Sequence, residues 1–151
     1  MDSINSFTNP DLNCPSGTPQ IKSLDSGNIS YKVLHLDDDP DILKVCKLIL
    51  EKQGDISVDS VECPVKALET AYNERYDLII TDHHMPKMSG LEFVEKIRHL
   101  NEHVPIIVLS TDLDKGLYIS FSNLFFITKD ESPELILNNI KRIIHISVSK
   151  S

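Results

Sequence analysis

Five short runs of aliphatic and β-branched residues, spaced by stretches of helical periodicity, constrain this chain more than any other feature. The runs are Val33–Leu36, Ile56–Val61, Leu78–Thr81, Pro105–Leu109 and Leu124–Thr128. Four to six residues of this kind fit strands buried on both faces of a parallel sheet. Between them, Asp41–Lys52 sets Ile42, Val45, Cys46, Ile49 and Leu50 on one stripe, and Gly54 ends it. Val65–Asn73 follows Pro64, and Leu91–Leu100 carries Leu91, Val94, Ile97 and Arg98 at helical spacing. Ser132-Pro133-Glu134 starts a last helix with a cap, a first-turn proline and an acid at the positive dipole end. That helix runs to about Ile146, with Ile136, Ile140, Ile143 and Ile144 facing inward. Leu113–Phe121 is weaker, because Gly116 and Ile119 disfavour a helix; one or two turns, or mostly loop, are expected there. The order predicts an α/β domain, a parallel sheet with helices on both faces.

The chain has 151 residues, enough for one core without a disulfide or metal staple. Residues 1–30 hold Pro10, Pro15, Gly17, Pro19 and Gly27 and no periodic apolar pattern, so they read as a flexible tail or linker. The domain is expected over 31–147, with 148–151 as a short C-terminal tail. A net charge of −8, with Lys141-Arg142 the longest clearly basic cluster, argues against direct nucleic-acid binding. No apolar run is long enough to span a membrane, and the first thirty residues lack a signal-peptide pattern, so a soluble, cytoplasmic protein is expected. Cys14, Cys46 and Cys63 are unclustered and read as reduced, ordinary side chains.

In open parallel sheets, functional groups gather at the carboxyl ends of the strands. Here the first run ends in Asp37-Asp38-Asp39, the third in Asp82-His83-His84-Met85-Pro86, the fourth in Ser110-Thr111 and the fifth in Lys129. Carboxylates brought together either raise a pKa or hold a cation. A hard ion such as Mg2+ takes few protein oxygens and leaves room for a phosphoryl oxygen. One carboxylate can then attack phosphorus, with a lysine and a hydroxyl binding the phosphoryl oxygens as charge develops.

The stretches VLHLDDDPDIL, YDLIITDHHMPKMSGLEF, PIIVLST and FFITK resemble the receiver domain of two-component response regulators, over about residues 31–146. The resemblance implies a flavodoxin-like, doubly wound (βα)5 fold with strand order 2-1-3-4-5. It makes Asp82 the phosphoacceptor and Asp37 and Asp38 the acidic pair for Mg2+, with Asp38 a direct ligand and Asp37 acting largely through water. The backbone carbonyl of His84 would be a further ligand. Ser110 matches the switch hydroxyl, Lys129 the phosphate-binding lysine and Phe126 the switch aromatic. Three departures stand out: Asp130 replaces the usual proline after Lys129, Thr111 replaces a small residue, and the stretch from Ser110 to Lys129 is short.

The implied function is a phosphorylation-activated switch. A histidine kinase or phosphotransfer protein donates to Asp82, and a downstream effector protein reads the result. Its only chemistry would be its own phosphorylation and dephosphorylation. A degenerate receiver acting as an unphosphorylated interaction module, and a receiver cut from a larger hybrid sensor protein, are the alternatives. A phosphohydrolase acting on other molecules lacks a second carboxylate placed as general acid. Adjacent His83 and His84, on a turn, are expected to point apart rather than share a metal, and His35 reads as a satisfied core histidine.

Overall fold

A computed structural model describes residues 31–52, 54–111 and 115–149. The expected tail at 1–30 lies outside these residues. Five strands form one parallel sheet in the order β2-β1-β3-β4-β5: β1 (Tyr31–Leu36), β2 (Ile56–Val61), β3 (Leu78–Thr81), β4 (Ile106–Ser110) and β5 (Leu124–Thr128). Every neighbouring pair is parallel, with Val33 level with both Val58 and Leu78, and Thr81 level with Val108. β1, β3 and β4 lie inside the sheet and are buried over most of their length, which is why they read as continuous apolar runs.

The core is two apolar layers, one on each face. Leu34, Leu36, Ile79, Ile106 and Val108 meet α2 (Pro64–Asn73) and α3 (Gly90–Leu100) through Leu68, Phe93, Val94 and Ile97. Val33, Val58, Ile80, Ile107 and Leu109 meet α1 (Pro40–Glu51) and α4 (Pro133–Ser149) through Leu50, Ile140 and Ile144. Since side chains alternate along a strand, each strand feeds both layers.

Local chemistry sets the helix starts. Asp39 caps α1 by accepting from the Asp41 N–H, and Pro40 occupies its first turn. A reciprocal capping box joins Ser89 and Glu92 at the start of α3. α1 also shields the open edge of the sheet: Glu51 accepts from the Val58 N–H at 2.8 Å, and the Lys47 ammonium donates to the Val58 carbonyl.

Three expectations change and one holds. In the α1 stripe Leu50 is buried and Ile42, Cys46 and Ile49 are partly buried as expected, but Val45 is 47% exposed and Leu43, outside the stripe, is buried. Leu113–Phe121 holds little helix, as expected: a single 3₁₀ turn at Lys115–Tyr118, with residues 112–114 outside the described residues. α4 extends to Ser149, past the expected end near Ile146. Cys63 is disulfide-bonded, against the expectation of three reduced thiols, whereas Cys46 is free.

Candidate functional site

Sheet hydrogen bonds that run one residue past each strand place the site. The Asp37 N–H donates to the Val61 carbonyl at 3.2 Å and the Asp82 N–H to the Leu36 carbonyl at 3.1 Å. The Lys129 N–H donates to the Ser110 carbonyl at 3.2 Å. Residues from β1, β3, β4 and β5 are thereby fixed at the carboxyl edge by backbone alone.

Their side chains converge. Lys129 Nζ lies 2.9 Å from Asp37 Oδ2 and 3.2 Å from Asp82 Oδ2. Asp37, Asp38 and Asp82 can each offer a carboxylate oxygen so that all three oxygens lie within 4.8 Å of one another. Asp37 is fully buried and Asp82 is 6% exposed, while Asp38 faces solvent. Three carboxylates against one ammonium leave a local charge of −2, which one divalent cation balances. The donors are hard oxygens, and the exposed Asp38 leaves an entry path, so the cluster suits a hard divalent ion.

Burial holds the Asp37 carboxyl above the ordinary carboxylate range, although the Asp39 N–H and Lys129 pull the other way. For Lys129, burial disfavours the ammonium, but pairing with Asp37 and Asp82 outweighs it and raises the pKa. The lysine is thus held charged between the two carboxylates.

The second Asp82 oxygen, Oδ1, accepts from the His83 N–H at 2.7 Å and lies 3.4 Å from the His84 nitrogen. The loop after Asp82 is tightly folded. Lys87 has φ 73° between the Pro86 carbonyl and the Met88 N–H, bonded at 2.8 Å, which is the rarer and strained form of γ-turn. Gly90 has no spare room: a Cβ there would lie 2.5 Å from the Asp82 carbonyl oxygen and 2.8 Å from His83 Cα. Only glycine lets α3 start so close beneath the Asp82 loop.

Ser110 ends β4 with its hydroxyl buried and without a hydrogen-bond partner. An orphaned hydroxyl beside a charged cluster is costly unless a ligand group completes it. Phe126 is half-buried, its ring 5.6 Å from that of Tyr118 and beneath the Lys115 ammonium. The bond from Lys129 to Asp130 is trans, as are all peptide bonds among the described residues, and Thr111 is exposed.

Two histidine expectations need revision. The rings of His83 and His84 do not point apart but stack edge to face at 4.6 Å. His35 lies in the core as expected, yet neither ring nitrogen has a partner. Its pKa is lowered to about 3, chiefly by burial and secondarily by Lys129, so it is neutral. Tyr118 was not singled out from sequence. Its hydroxyl lies 2.6 Å from His83 Nδ1, and burial, with Asp82 nearby, pushes its pKa up to about 12. The only sequence signal was an aromatic in an otherwise helix-poor stretch.

Residues 33–141 match the family model of the response regulator receiver domain, and this chain belongs to that family. It is 34% identical over 112 residues to the transcriptional regulatory protein FlgR of Helicobacter pylori, covering 74% of this chain and 29% of that protein. Against the CpxR homolog of Haemophilus influenzae it is 29% identical over 123 residues, 80% of this chain and 53% of the relative. The chain therefore spans from under a third to about half of these relatives. Among solved structures, the Vibrio cholerae chemotaxis protein CheY4 superposes with a TM-score of 0.68 at 30% identity, covering 75% of this chain and 98% of that one. A CheY-like receiver domain protein from Methanospirillum hungatei gives 0.72 at 25% identity, covering 80% and 98%. Membership, fold and the aspartate triad agree: the site is positioned for phosphoryl transfer to aspartate, as in receivers that switch on phosphorylation. The chemistry of such a domain is its own phosphorylation and dephosphorylation, not catalysis on external substrates. No helix among the described residues is long and apolar enough to cross a membrane.

Proposed function

We propose that this chain is a cytoplasmic two-component switch whose receiver module, residues 31–147, takes a phosphoryl group on Asp82 from a histidine kinase or phosphotransfer protein. An Asp82 carboxylate oxygen attacks phosphorus as the bond from phosphorus to the donor nitrogen breaks, and that nitrogen leaves with its electron pair. Mg2+, held by Asp37, Asp38, Asp82 and the His84 carbonyl, would neutralise phosphoryl charge during this transfer. Lys129 then turns from its pair with Asp82 to a phosphoryl oxygen. Ser110 gives its unpartnered hydroxyl to another, and Phe126 follows the space that Ser110 vacates. A downstream effector protein reads the altered surface.

The observation that carries this reading is the Asp82 surround: Oδ2 at the Lys129 ammonium, Oδ1 on the His83 N–H, and a buried hydroxyl without a partner at the end of the neighbouring strand. Intact mass after incubation with acetyl phosphate and Mg2+ tests it. One phosphoryl adduct is expected, absent from Asp82→Asn and absent without Mg2+. An adduct that persists in Asp82→Asn, or none in the wild type, refutes the assignment.

A further inference from the structure

The segment after β4 is thinly attached. Among residues 115–120, Tyr118 alone is buried, at 2% exposure, whereas its neighbours Leu117 and Ile119 are 48% and 87% exposed. Its backbone bonds include Ile119 N–H to the Gly116 carbonyl at 3.3 Å and Phe121 N–H to the Tyr118 carbonyl at 3.0 Å, both local. The Tyr118 side chain is the buried tie between this segment and the domain, beside the Lys115 ammonium over the Phe126 ring.

That side chain ends at the phosphoacceptor loop. The hydroxyl meets His83 Nδ1 at 2.6 Å, and the two rings pack edge to face at 5.6 Å. It also sits over Gly90, where a Cβ would come within 3.0 Å of the hydroxyl oxygen. His83 is in turn fixed at both ends of its backbone: its N–H holds Asp82 Oδ1 at 2.7 Å, and its carbonyl accepts from the Gly90 N–H at 2.8 Å. On its other side the Tyr118 ring rests against Phe126 at 5.6 Å.

We infer that Tyr118 is a positioning residue that latches the exposed Leu117–Ile119 segment to the Asp82 loop through His83, so that a change at Asp82 alters the hold on that segment. The inference rests on Asp82 being the phosphoacceptor. A carboxylate oxygen is a strong acceptor for the His83 N–H, and an acyl phosphate changes both the charge and the position of that acceptor. His83 cannot follow without moving a ring bonded to the Tyr118 hydroxyl. Tyr118 cannot move without disturbing Phe126 and the two apolar side chains that flank it. This link runs from Asp82 through the loop that follows it, and meets a link through Ser110 only at Phe126.

Amide hydrogen exchange of the full chain, with and without Mg2+ and beryllofluoride, tests the latch. Losing one hydrogen bond should speed exchange over 115–121 by about fivefold in unliganded Tyr118→Phe, while β1 and α1 exchange as in the wild type. His83→Phe should give the same rise, and the double variant no more than either alone. Beryllofluoride should change exchange over 115–121 in the wild type, and that response should largely disappear in Tyr118→Phe. A purely structural tyrosine would leave the ligand response intact. Unchanged exchange in Tyr118→Phe, additive effects in the double variant, or a full ligand response without the hydroxyl each overturn the latch. A wild type blind to beryllofluoride overturns the coupling together with the role of Asp82, whereas a responsive wild type with an equally responsive Tyr118→Phe overturns the coupling alone.

Discussion

The two ends of the sheet are built on opposite principles. At the amino edge, polar groups close on one another. Arg98, at the end of α3, donates to the carbonyls of Asn101, Val104, Ser122 and Asn123 at 2.8–3.3 Å, tying the approaches to β4 and β5 together. Asn101 Oδ1 accepts from the N–H groups of His103 and Val104, and Asn123 Nδ2 donates to the His103 carbonyl. Asp77 accepts from the Lys32 N–H at 2.8 Å, and the Lys32 ammonium reaches Glu74. At the carboxyl edge the same kinds of group are left in surplus: two nearly buried carboxylates and an exposed one against one ammonium, and a hydroxyl with no partner. The difference is that most polar atoms at one end, Arg98 Nε and Ser57 Oγ apart, bond to one another, whereas at the other the surplus carboxylates and the Ser110 hydroxyl are held in place for a ligand.

Lys129→Met should break this contrast most sharply. Charged hydrogen bonds contribute about 1.5–3 kcal/mol, so beryllofluoride affinity should fall by about a hundredfold in a binding titration. Mg2+ alone should bind more tightly than in the wild type, because the competing ammonium is gone and the local charge falls from −2 to −3. Weaker Mg2+ binding would mean that Lys129 supports the cation site rather than competing with it.

Arg98→Met is the matching lesion at the other end. It strips donors from four carbonyls and should lower unfolding free energy by about 2 kcal/mol, the guanidinium being only half-buried. Phosphorylation by acetyl phosphate in the folded fraction should be unchanged. Loss of phosphorylation at equal stability would show that the amino edge reaches the site.

His35 sits between the two ends, on β1, and supplies a pH dependence. Its folded pKa is depressed to about 3 from 6.5, chiefly by burial, so the unfolded chain binds the proton and the folded chain does not. The stability this histidine contributes is present above pH 6.5 and is lost as pH falls through the window below it. The loss is about 1.4 kcal/mol per pH unit at most. In His35→Leu that part of the acid slope should vanish from urea unfolding, with little penalty at pH 7, since neither ring nitrogen has a partner to lose. An unchanged slope would contradict the buried, neutral histidine.

The smallest effect concerns the cation. Burial holds the Asp37 carboxyl above its ordinary range, so protons compete with Mg2+ at a higher pH than for a solvated aspartate. Mg2+ affinity should fall on acidification, starting at a higher pH than for a solvated aspartate, and Asp37→Asn should flatten that fall in a calorimetric titration.

The carboxyl edge was largely legible in the sequence because the relevant residues directly follow apolar runs: Asp37, Asp82 and Lys129 each come one residue after a strand. Ser110 was placed just after β4 and is its last residue, a shift within the usual uncertainty of strand ends. The amino edge was not legible. Arg98 shares its helical stripe with Val94 and Ile97, and its partners lie up to 25 residues away, so nothing local marks it as a clamp. The tie between Tyr118 and His83 spans 35 residues for the same reason. On α1 only Val45 was misplaced and Leu43 missed, because both lie one position from the residues that are buried or partly buried, at the border of the stripe. Ser89 and Glu92, by contrast, spelled a capping box that local spacing alone could have revealed.

The contrast between the two edges can be tested in one experiment: amide chemical-shift mapping of the wild type on adding Mg2+ and beryllofluoride. Shifts are expected at residues 37–38, 82–84, 110–111 and 129, extending to 115–126, with Lys32, Asp77, Arg98 and Asn101 unmoved. No shifts, or shifts centred on the amino edge, would contradict it.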